Sequence, residues 1–290
     1  MNHLLALAGV ICISFSAILV RLADVSPSTS AFFRMAYAIP PLLLFAYAIR
    51  KKDVRKPSMR WLAIGSGLIL AFDLSMWHWS IGLVGAGLAT VLANIQVVFV
   101  ALAGWLFLKE KPSRLAVAII PLVLFGVVLT SGLGRPNAYG TNPIAGAFLG
   151  AGAGLLYAAF LILFRRSNND KVPGAGPLLD ATIGAAAGCL LIGLLDPGFS
   201  LSITFPPHIW LITMAFGSQV IGWLLISTVL SRLPVLETSI LLVLQPILTV
   251  IWGLILFKEL PSPVQWAGVG LVLIGITVLT LKGSVGKPVR

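Results

Sequence analysis

The chain has 290 residues, of which 58% are hydrophobic and 10% are charged, and its mean hydropathy is +1.02. Soluble domains carry about a quarter charged residues, so this composition excludes an ordinary water-soluble domain. The net charge of +11 does not indicate nucleic-acid binding, because the cations lie between apolar runs and not on a polar surface.

Ten apolar runs, each bounded by Gly, Pro or charged residues, predict helices that span a membrane. They lie at about 3–22, 28–49, 59–80, 84–107, 113–132, 144–164, 176–195, 207–230, 234–257 and 262–281. The first run has neither a basic n-region nor a cleavage site, so we expect a span there and not a signal peptide. Cys12 and Cys189 fall inside apolar runs, which argues against a disulfide framework and against a zinc site.

The distribution of cations predicts the orientation, because Lys and Arg are retained on the cytoplasmic side. With the N-terminus inside, four of the 20 Lys and Arg residues fall outside: Arg21, Arg34, Arg135 and Lys258. We therefore expect a multi-pass protein of the bacterial inner (plasma) membrane with both termini cytoplasmic. Arg21 and Arg34 lie near the outer ends of the first two spans, where snorkelling explains them; a role at an outer gate is the alternative.

The chain contains an internal repeat. QVVFVALAGWLFLKEKPS at 96–113 aligns at a constant offset with QPILTVIWGLILFKELPS at 245–262. Each half then holds five helices, an odd number, so the second half enters the membrane inverted, an arrangement that supports alternating access. A duplication without functional consequence is the alternative. The prediction is an all-α membrane protein with ten transmembrane helices as two inverted five-helix repeats, at 1–132 and 144–281, with a connecting loop at 133–143 and a cytoplasmic tail at 282–290.

Two five-helix halves, each with a KEKPS-like or KELPS-like turn before a Gly-bearing helix, resemble the EamA-type members of the drug/metabolite transporter superfamily. The resemblance covers essentially the whole chain. Within the superfamily, MWHWS at 76–80 and the Gln245–Pro246 pair resemble the bacterial aromatic amino acid exporters. This resemblance implies export of amino acids or similar metabolites through a central cavity, with the fifth and tenth helices peripheral.

Polar side chains at membrane depth are costly and usually face a cavity or another helix, so they are the first candidates for substrate contact. In the ninth predicted span, Gln245 and Thr249 share one helical face, and Pro246 frees a carbonyl one turn earlier. Gln96 holds the position equivalent to Gln245 in the fourth span. For Gln245, a hydrogen bond to a neighbouring helix is the alternative.

The third predicted span carries Asp73, Trp77, His78 and Trp79. Asp73 is expected either to couple protons or bind an ammonium group, or to be a structural hydrogen-bond acceptor. His78 is a further site candidate because it titrates near neutrality. One of the two tryptophans is expected to face the cavity. The remaining candidates for substrate contact are Ser14, Asn94, Tyr157, Gln219 and Trp223.

The predicted function is a secondary transporter that exports amino acids, aromatic or other neutral ones, and related small metabolites by alternating access. The alternatives are export of another metabolite or of a cationic drug in the same superfamily, or an intramembrane enzyme. Anionic phosphates are disfavoured because the cations avoid the span centres, and an enzyme because the three histidines are scattered. We expect a monomer with a small-molecule substrate and membrane lipid as partners, no nucleic acid and no cofactor.

Overall fold

The structure is a computed structural model that describes residues 2–108, 113–133, 135–167, 173–230 and 235–283; at 2, 3, 6, 104, 107, 108, 227–230, 235–243, 282 and 283 it describes the backbone alone. Every regular element within these residues is a helix. The predicted tail after residue 283 and the Lys and Glu of the KEKPS turn lie outside them. The α-helices are α1 Asn2–Ser14, α2 Ser16–Ala23, α3 Pro27–Ala48, α4 Pro57–Ala93, α5 Gln96–Leu108, α6 Arg114–Thr130, α7 Pro143–Ser167, α8 Ala175–Gly193, α9 Pro207–Met214, α10 Trp223–Leu230, α11 Val235–Phe257 and α12 Pro263–Gly283.

Six helical stretches of the described residues are long and apolar enough to cross a membrane, and three apolar helices are shorter. The prediction of an all-helical, multi-pass membrane protein is confirmed in this form. The count of ten spans and the inverted relation of the two halves stay predictions. The longest stretch, Pro57–Ala103, has 47 residues and covers the third predicted span and most of the fourth.

Glycine divides this long stretch. A straight helix of that length would measure about 70 Å, more than twice the roughly 30 Å of a hydrocarbon layer. Gly85 leaves the helical region at φ 85° and ψ 169°, a backbone conformation that a Cβ atom opposes. A Cβ at this position would also collide with the Glu259 carboxylate. Gly85 is therefore the point at which the chain turns between the two predicted spans.

Local sequence explains where many of the helices begin. Proline has no amide hydrogen to lose and has its φ preset for a helix, so it suits the first helical position. Ser26 also caps α3 by accepting a hydrogen bond of 3.2 Å from the Thr29 amide. Five helices start with proline: α3, α4, α7, α9 and α12.

Two helical runs are interrupted inside the bundle. α1 and α2 are separated at Phe15, where the Ser14 carbonyl becomes free to accept a hydrogen bond from another helix. Between α9 and α10, the segment Ala215–Gly222 is a π-helix. Such irregular turns recur at functional sites because they redirect side chains and free backbone groups.

Helix α4 occupies the middle of the bundle and packs most extensively against α7 and α8, while α3 packs on α8 and α12 on α6. Small residues permit the closest crossing: a Cβ added to Gly184 of α8 would collide with the backbone carbonyl of Ile64 in α4. Side chains from α3, α7 and α8 are thereby brought against α4, and the candidate site is built where these four helices meet.

Candidate functional site

Two ionisable side chains of opposite sign lie inside the bundle, on helices that are long and apolar enough to cross a membrane. Arg34 follows the start of α3 by seven residues, about 10 Å along the helix, and Asp73 lies twelve residues, about 18 Å, before the break at Gly85. Their exposed fractions are 5% and 6%. No ion pair of 4.0 Å or less joins the two side chains, although each is within electrostatic range of the other.

Aromatic and polar groups surround these charges. The Arg34 guanidinium carbon lies 5.7 Å from the centre of the Trp77 ring, within the range of a cation–π contact. Tyr157 of α7 and Cys189 of α8 lie within electrostatic range of both Arg34 and Asp73. We call Arg34, Asp73, Trp77, Tyr157 and Cys189 the buried charge cluster.

The interpretation of Arg34 as a snorkelling residue is wrong. A snorkelling arginine extends its guanidinium to the interface and leaves it in water, whereas this side chain is buried among α4, α7 and α8. In the sequence, its position seven residues into α3 indicated an interior location. An arginine side chain is long enough to reach the interface from there, so the sequence did not distinguish a snorkelling residue from a buried one.

The structure distinguishes the two tryptophans of α4. Trp77 is 8% exposed and belongs to the buried charge cluster, whereas Trp79 is 42% exposed on the outer surface of the bundle. His78 is fully buried beside Trp77, with ring centres 5.4 Å apart, and interacts electrostatically with Arg34. Helical geometry places neighbouring side chains about 100° apart, so Trp77 and His78 are interior while Trp79 turns away.

An aromatic wall continues from Tyr157 towards α10. The Trp223 ring lies edge-on to Tyr157 and Phe160, with centres 6.5 Å and 6.1 Å away. Gln219 is buried in the π-helix, and its amide nitrogen lies 3.5 Å from the Thr182 hydroxyl of α8, a long contact. The structure thus brings Tyr157 and Trp223 together, as a substrate with an apolar side chain would require.

The predicted candidates on α1 and α11 are used in a helix–helix contact. The Thr249 hydroxyl lies 2.9 Å from the Ser14 carbonyl and 3.0 Å from that of Gln245. The Ser14 hydroxyl accepts a hydrogen bond of 3.1 Å from the Trp252 indole, whose ring stacks on Phe15. These bonds satisfy both hydroxyl groups without a ligand. Gln245 itself is half-buried, and its contact with substrate stays a prediction.

Two candidates lie where α4 gives way to α5. The Asn94 amide donates a hydrogen bond of 2.8 Å to the Thr90 carbonyl and so closes the last turn of α4. Gln96 begins α5, and its buried side-chain oxygen has no hydrogen-bond partner among the residues that the structure describes. The contribution of both residues to a substrate site stays a prediction.

A buried carboxylate joins three parts of the chain at one end of the bundle, which we call the Glu259 end. Glu259 accepts hydrogen bonds of 2.7 Å and 2.9 Å from the amides of Ala86 and Gly87, the first donors after the break at Gly85. It also forms an ion pair of 2.5 Å with Arg21 of α2. A helix start favours an anion through its free amides and its dipole, so the carboxylate is fully partnered although it is buried.

The connection between the two predicted halves is tied to the same end. Gln265 of α12 is buried and accepts hydrogen bonds from the amides of Tyr139 and Ser262, at 2.7 Å and 2.9 Å. Its amide group donates to the carbonyls of Tyr139 and Thr130. The predicted loop at 133–143 is therefore held against the bundle by a side chain that the sequence did not single out.

A second ionic network lies at the opposite end, which we call the Asp180 end. Arg55 bridges two carboxylates, at 2.8 Å from Asp180 and 2.7 Å from Asp53, and Arg60 lies 3.3 Å from Asp180. The hydrogen bonds from Arg55 lower the pKa of the Asp53 carboxyl, which keeps it ionised near neutral pH. Among the described residues, no three His, Cys, Asp or Glu side chains are grouped so that they could hold a metal ion.

Sequence comparison identifies the family. The profile of the EamA-like transporter family matches residues 1–132 and 144–281. The chain belongs to this family. An uncharacterized transporter of Archaeoglobus fulgidus is 27% identical, with 93% of each chain covered. Uncharacterized transporters of Synechocystis and of Bacillus subtilis (YyaM) are 26% and 24% identical, covering 91% of this chain and 84% and 87% of their own.

One solved crystal structure shares the fold of this EamA-like chain. It has a TM-score of 0.65 over 97% of this chain and 96% of its own, at 16% identity. Membership of the family makes the chain a multi-pass membrane transporter, and this fits the prediction that it is not an enzyme. The family prediction is confirmed, whereas the narrower resemblance to aromatic amino acid exporters is not.

Several residues that organise the EamA-like structure were absent from the predicted site: Arg34, Glu259, Arg21, Asp180 and Arg55. The signal for Glu259 was an acidic residue in a short turn between apolar runs, at the same predicted end as Arg21. For Asp180, the signal was a carboxylate inside an apolar run near a basic loop. A charge at such a position needs a partner, but its identity depends on packing between distant helices.

The Asp180 end predicts a contrast between two arginines that share one carboxylate. The Arg55 side chain is 2% exposed, and that of Arg60 is 58% exposed. Arg55→Gln should lower the free energy of unfolding by about 3 kcal/mol, because it leaves buried carboxylate charge uncompensated. Arg60→Gln should lower it by less than about 1 kcal/mol. Unfolding in detergent micelles titrated with SDS and followed by circular dichroism measures both; equal losses would contradict this account.

Proposed function

We propose that the protein is a secondary transporter that exports neutral amino acids, aromatic ones among them, and related small metabolites by alternating access. The observation that carries this proposal is the pair of opposite charges, Arg34 and Asp73, buried beside Trp77 and Tyr157. Such an interior suits a small ligand that carries charge of both signs. The aromatic rings add apolar surface for the side chain of that ligand.

The same two charges disfavour the other substrate classes. A cationic drug would be attracted by Asp73 but repelled by Arg34 in the same interior, and an anionic phosphate would meet the reverse. Like charges held close together in a medium of low dielectric constant oppose binding strongly. A ligand with one group of each sign avoids both penalties.

Alternating access requires that each end of the bundle can open in turn. At the Glu259 end, one carboxylate holds α2 to the start of the helical segment after Gly85 and to the turn before α12. Breaking these few contacts would separate three elements at once. We propose that this contact closes the external end while substrate enters from the Asp180 end, which the predicted topology places in the cytoplasm.

The proposal also includes the membrane arrangement expected from the sequence. Ten spans form two inverted halves, both termini are cytoplasmic, and the protein works as a monomer in the bacterial inner membrane. The positive-inside distribution of cations and the repeat at 96–113 and 245–262 support this arrangement.

Efflux from proteoliposomes tests the proposed function. Vesicles loaded with single radiolabelled amino acids should release neutral amino acids in a saturable way when they contain the protein, and empty vesicles should not. Saturable flux of a cation or a sugar phosphate, with none for any amino acid, would contradict the proposal.

Two neighbouring tryptophans supply a matched pair for the same assay. Trp77→Leu should reduce amino acid flux by about tenfold or more, because it removes an aromatic face from the charged interior, a contact worth roughly 1–2 kcal/mol. Trp79→Leu, on the outer surface, should leave flux within about twofold. Gln245→Ala should also reduce flux if the predicted contact exists. Equal effects of the two tryptophan substitutions would remove Trp77 from the site.

Loss of the Glu259 contact should open one end of the bundle. The Cys12→Ala background removes the other thiol, so that labelling reports on Cys189. Cys189 is buried and belongs to the buried charge cluster, so its modification measures access to that cluster. Glu259→Ala should increase the rate at which a membrane-impermeant thiol reagent modifies Cys189 on intact cells by about tenfold or more. The labelling rate rises because Arg21 and two backbone amides lose the carboxylate that accepts their hydrogen bonds, and the contact that closes this end is lost.

Arg60→Gln, at the opposite end of the bundle, is the control and should leave the labelling rate unchanged. An unchanged rate in Glu259→Ala would show that Glu259 does not close this end. An equal increase in Arg60→Gln would mean that general loosening of the fold, and not opening at Glu259, exposes the thiol.

A further inference from the structure

Arg34 has hydrogen-bond donors that no group in the described part of the chain uses. Its Nε and Nη1 atoms are buried and have no hydrogen-bond partner, and the guanidinium stays protonated in proteins. A buried charge without a partner costs several kcal/mol. The indole nitrogen of Trp77, whose ring lies beside the guanidinium, is buried and unpartnered as well. Together these atoms are donors to which a carboxylate could bind through charge-assisted hydrogen bonds from the guanidinium.

Asp73 supplies the complementary acceptor. Its side chain is buried on α4, and Arg34 is the cation that acts on it electrostatically among the described residues. The two groups are farther apart than the 4.0 Å of an ion pair, so neither neutralises the other by direct contact. An ammonium group placed against Asp73 would gain a charge-assisted hydrogen bond in a medium of low dielectric constant.

Only a ligand with both groups completes this arrangement. A ligand with only an amine would leave Arg34 unpaired and add a second cation to the interior. A ligand with only a carboxylate would leave Asp73 unpaired and add a second anion. We infer that Arg34 binds the carboxylate, and Asp73 the ammonium group, of one zwitterionic α-amino acid. This inference rests on the proposed function, and it assigns the two residues that determine which class of molecule is accepted.

The surroundings indicate the orientation of the ligand. Tyr157 lies within electrostatic range of both charged groups and edge-on to Trp223, whose other neighbours are Phe160 and Phe164. With the charged end of the amino acid between Arg34 and Asp73, its side chain points along this wall. The wall is apolar and aromatic, so it favours large uncharged side chains.

Three related probes test the two roles separately: L-phenylalanine, 2-phenylethylamine, which lacks the carboxylate, and 3-phenylpropionate, which lacks the ammonium group. Their binding to purified protein in detergent is measured by isothermal titration calorimetry. The wild type should bind L-phenylalanine at least about tenfold more tightly than either analogue, because each analogue lacks the group for one of the two charge-assisted hydrogen bonds.

The two neutral variants should change selectivity in opposite ways. Arg34→Gln should weaken the binding of L-phenylalanine by about tenfold or more, and the binding of 2-phenylethylamine should be unchanged or tighter. Asp73→Asn should weaken the binding of L-phenylalanine to a similar extent, and the binding of 3-phenylpropionate should be unchanged or tighter. A merely structural role would weaken all three probes together. Arg34→Lys and Asp73→Glu, which keep the charge, should preserve the wild-type order, and Arg135→Gln, an exposed loop arginine, should match the wild type.

The outcomes separate this inference from the proposed function. If the wild type transports no amino acid in proteoliposomes, the proposed function fails. If it does transport amino acids, the inference alone fails under either of two results. The first is a wild type that does not prefer L-phenylalanine over both analogues. The second is a pair of folded variants, Arg34→Gln and Asp73→Asn, that keep the wild-type order of the three probes.

Discussion

Charge inside a low-dielectric bundle is the constraint around which this structure is arranged. Arg34 and Asp73 lie close enough to interact but too far apart to form an ion pair, so the fold bears the cost of two incompletely compensated charges. Packing of both α3 and α4 on α8 fixes the relative position of the two helices that carry these side chains. The arrangement becomes favourable when a ligand supplies both opposite charges, which links packing to substrate class.

The buried carboxylates at the two ends of the bundle, unlike Arg34 and Asp73, have direct ionic partners. Glu259 and Asp180 are as deeply buried, yet each has full partners: two amides and Arg21 for the first, and two arginines for the second. These networks lie at opposite ends and hold helices together, whereas Arg34 and Asp73 form no ion pair with any of the described residues. The contrast between satisfied ends and an unsatisfied centre is what an interior for substrate, closed at its ends by separable contacts, requires.

Composition and apolar runs predicted the all-helical membrane class, because both depend on local sequence and on the solvent around the chain. The family was predicted from a resemblance, carried by the KEKPS-like and KELPS-like turns of the two halves. The apolar runs also placed Asp73, Trp77, His78 and Tyr157 among the candidates. They could not predict that Arg34 is interior, or that a hydrogen bond from Thr249 to the Ser14 carbonyl joins α11 to α1. Those facts depend on how distant helices rotate and pack, which hydropathy alone does not encode.

The most direct test of the central claim is a structure of the protein determined by electron cryomicroscopy with L-phenylalanine bound. The account predicts the ligand among α3, α4, α7 and α8, with its carboxylate within hydrogen-bond distance of Arg34, its ammonium group at Asp73 and its ring towards Tyr157 and Trp223. A ligand bound elsewhere, or with its carboxylate away from Arg34 while Arg34 pairs directly with Asp73, would contradict it.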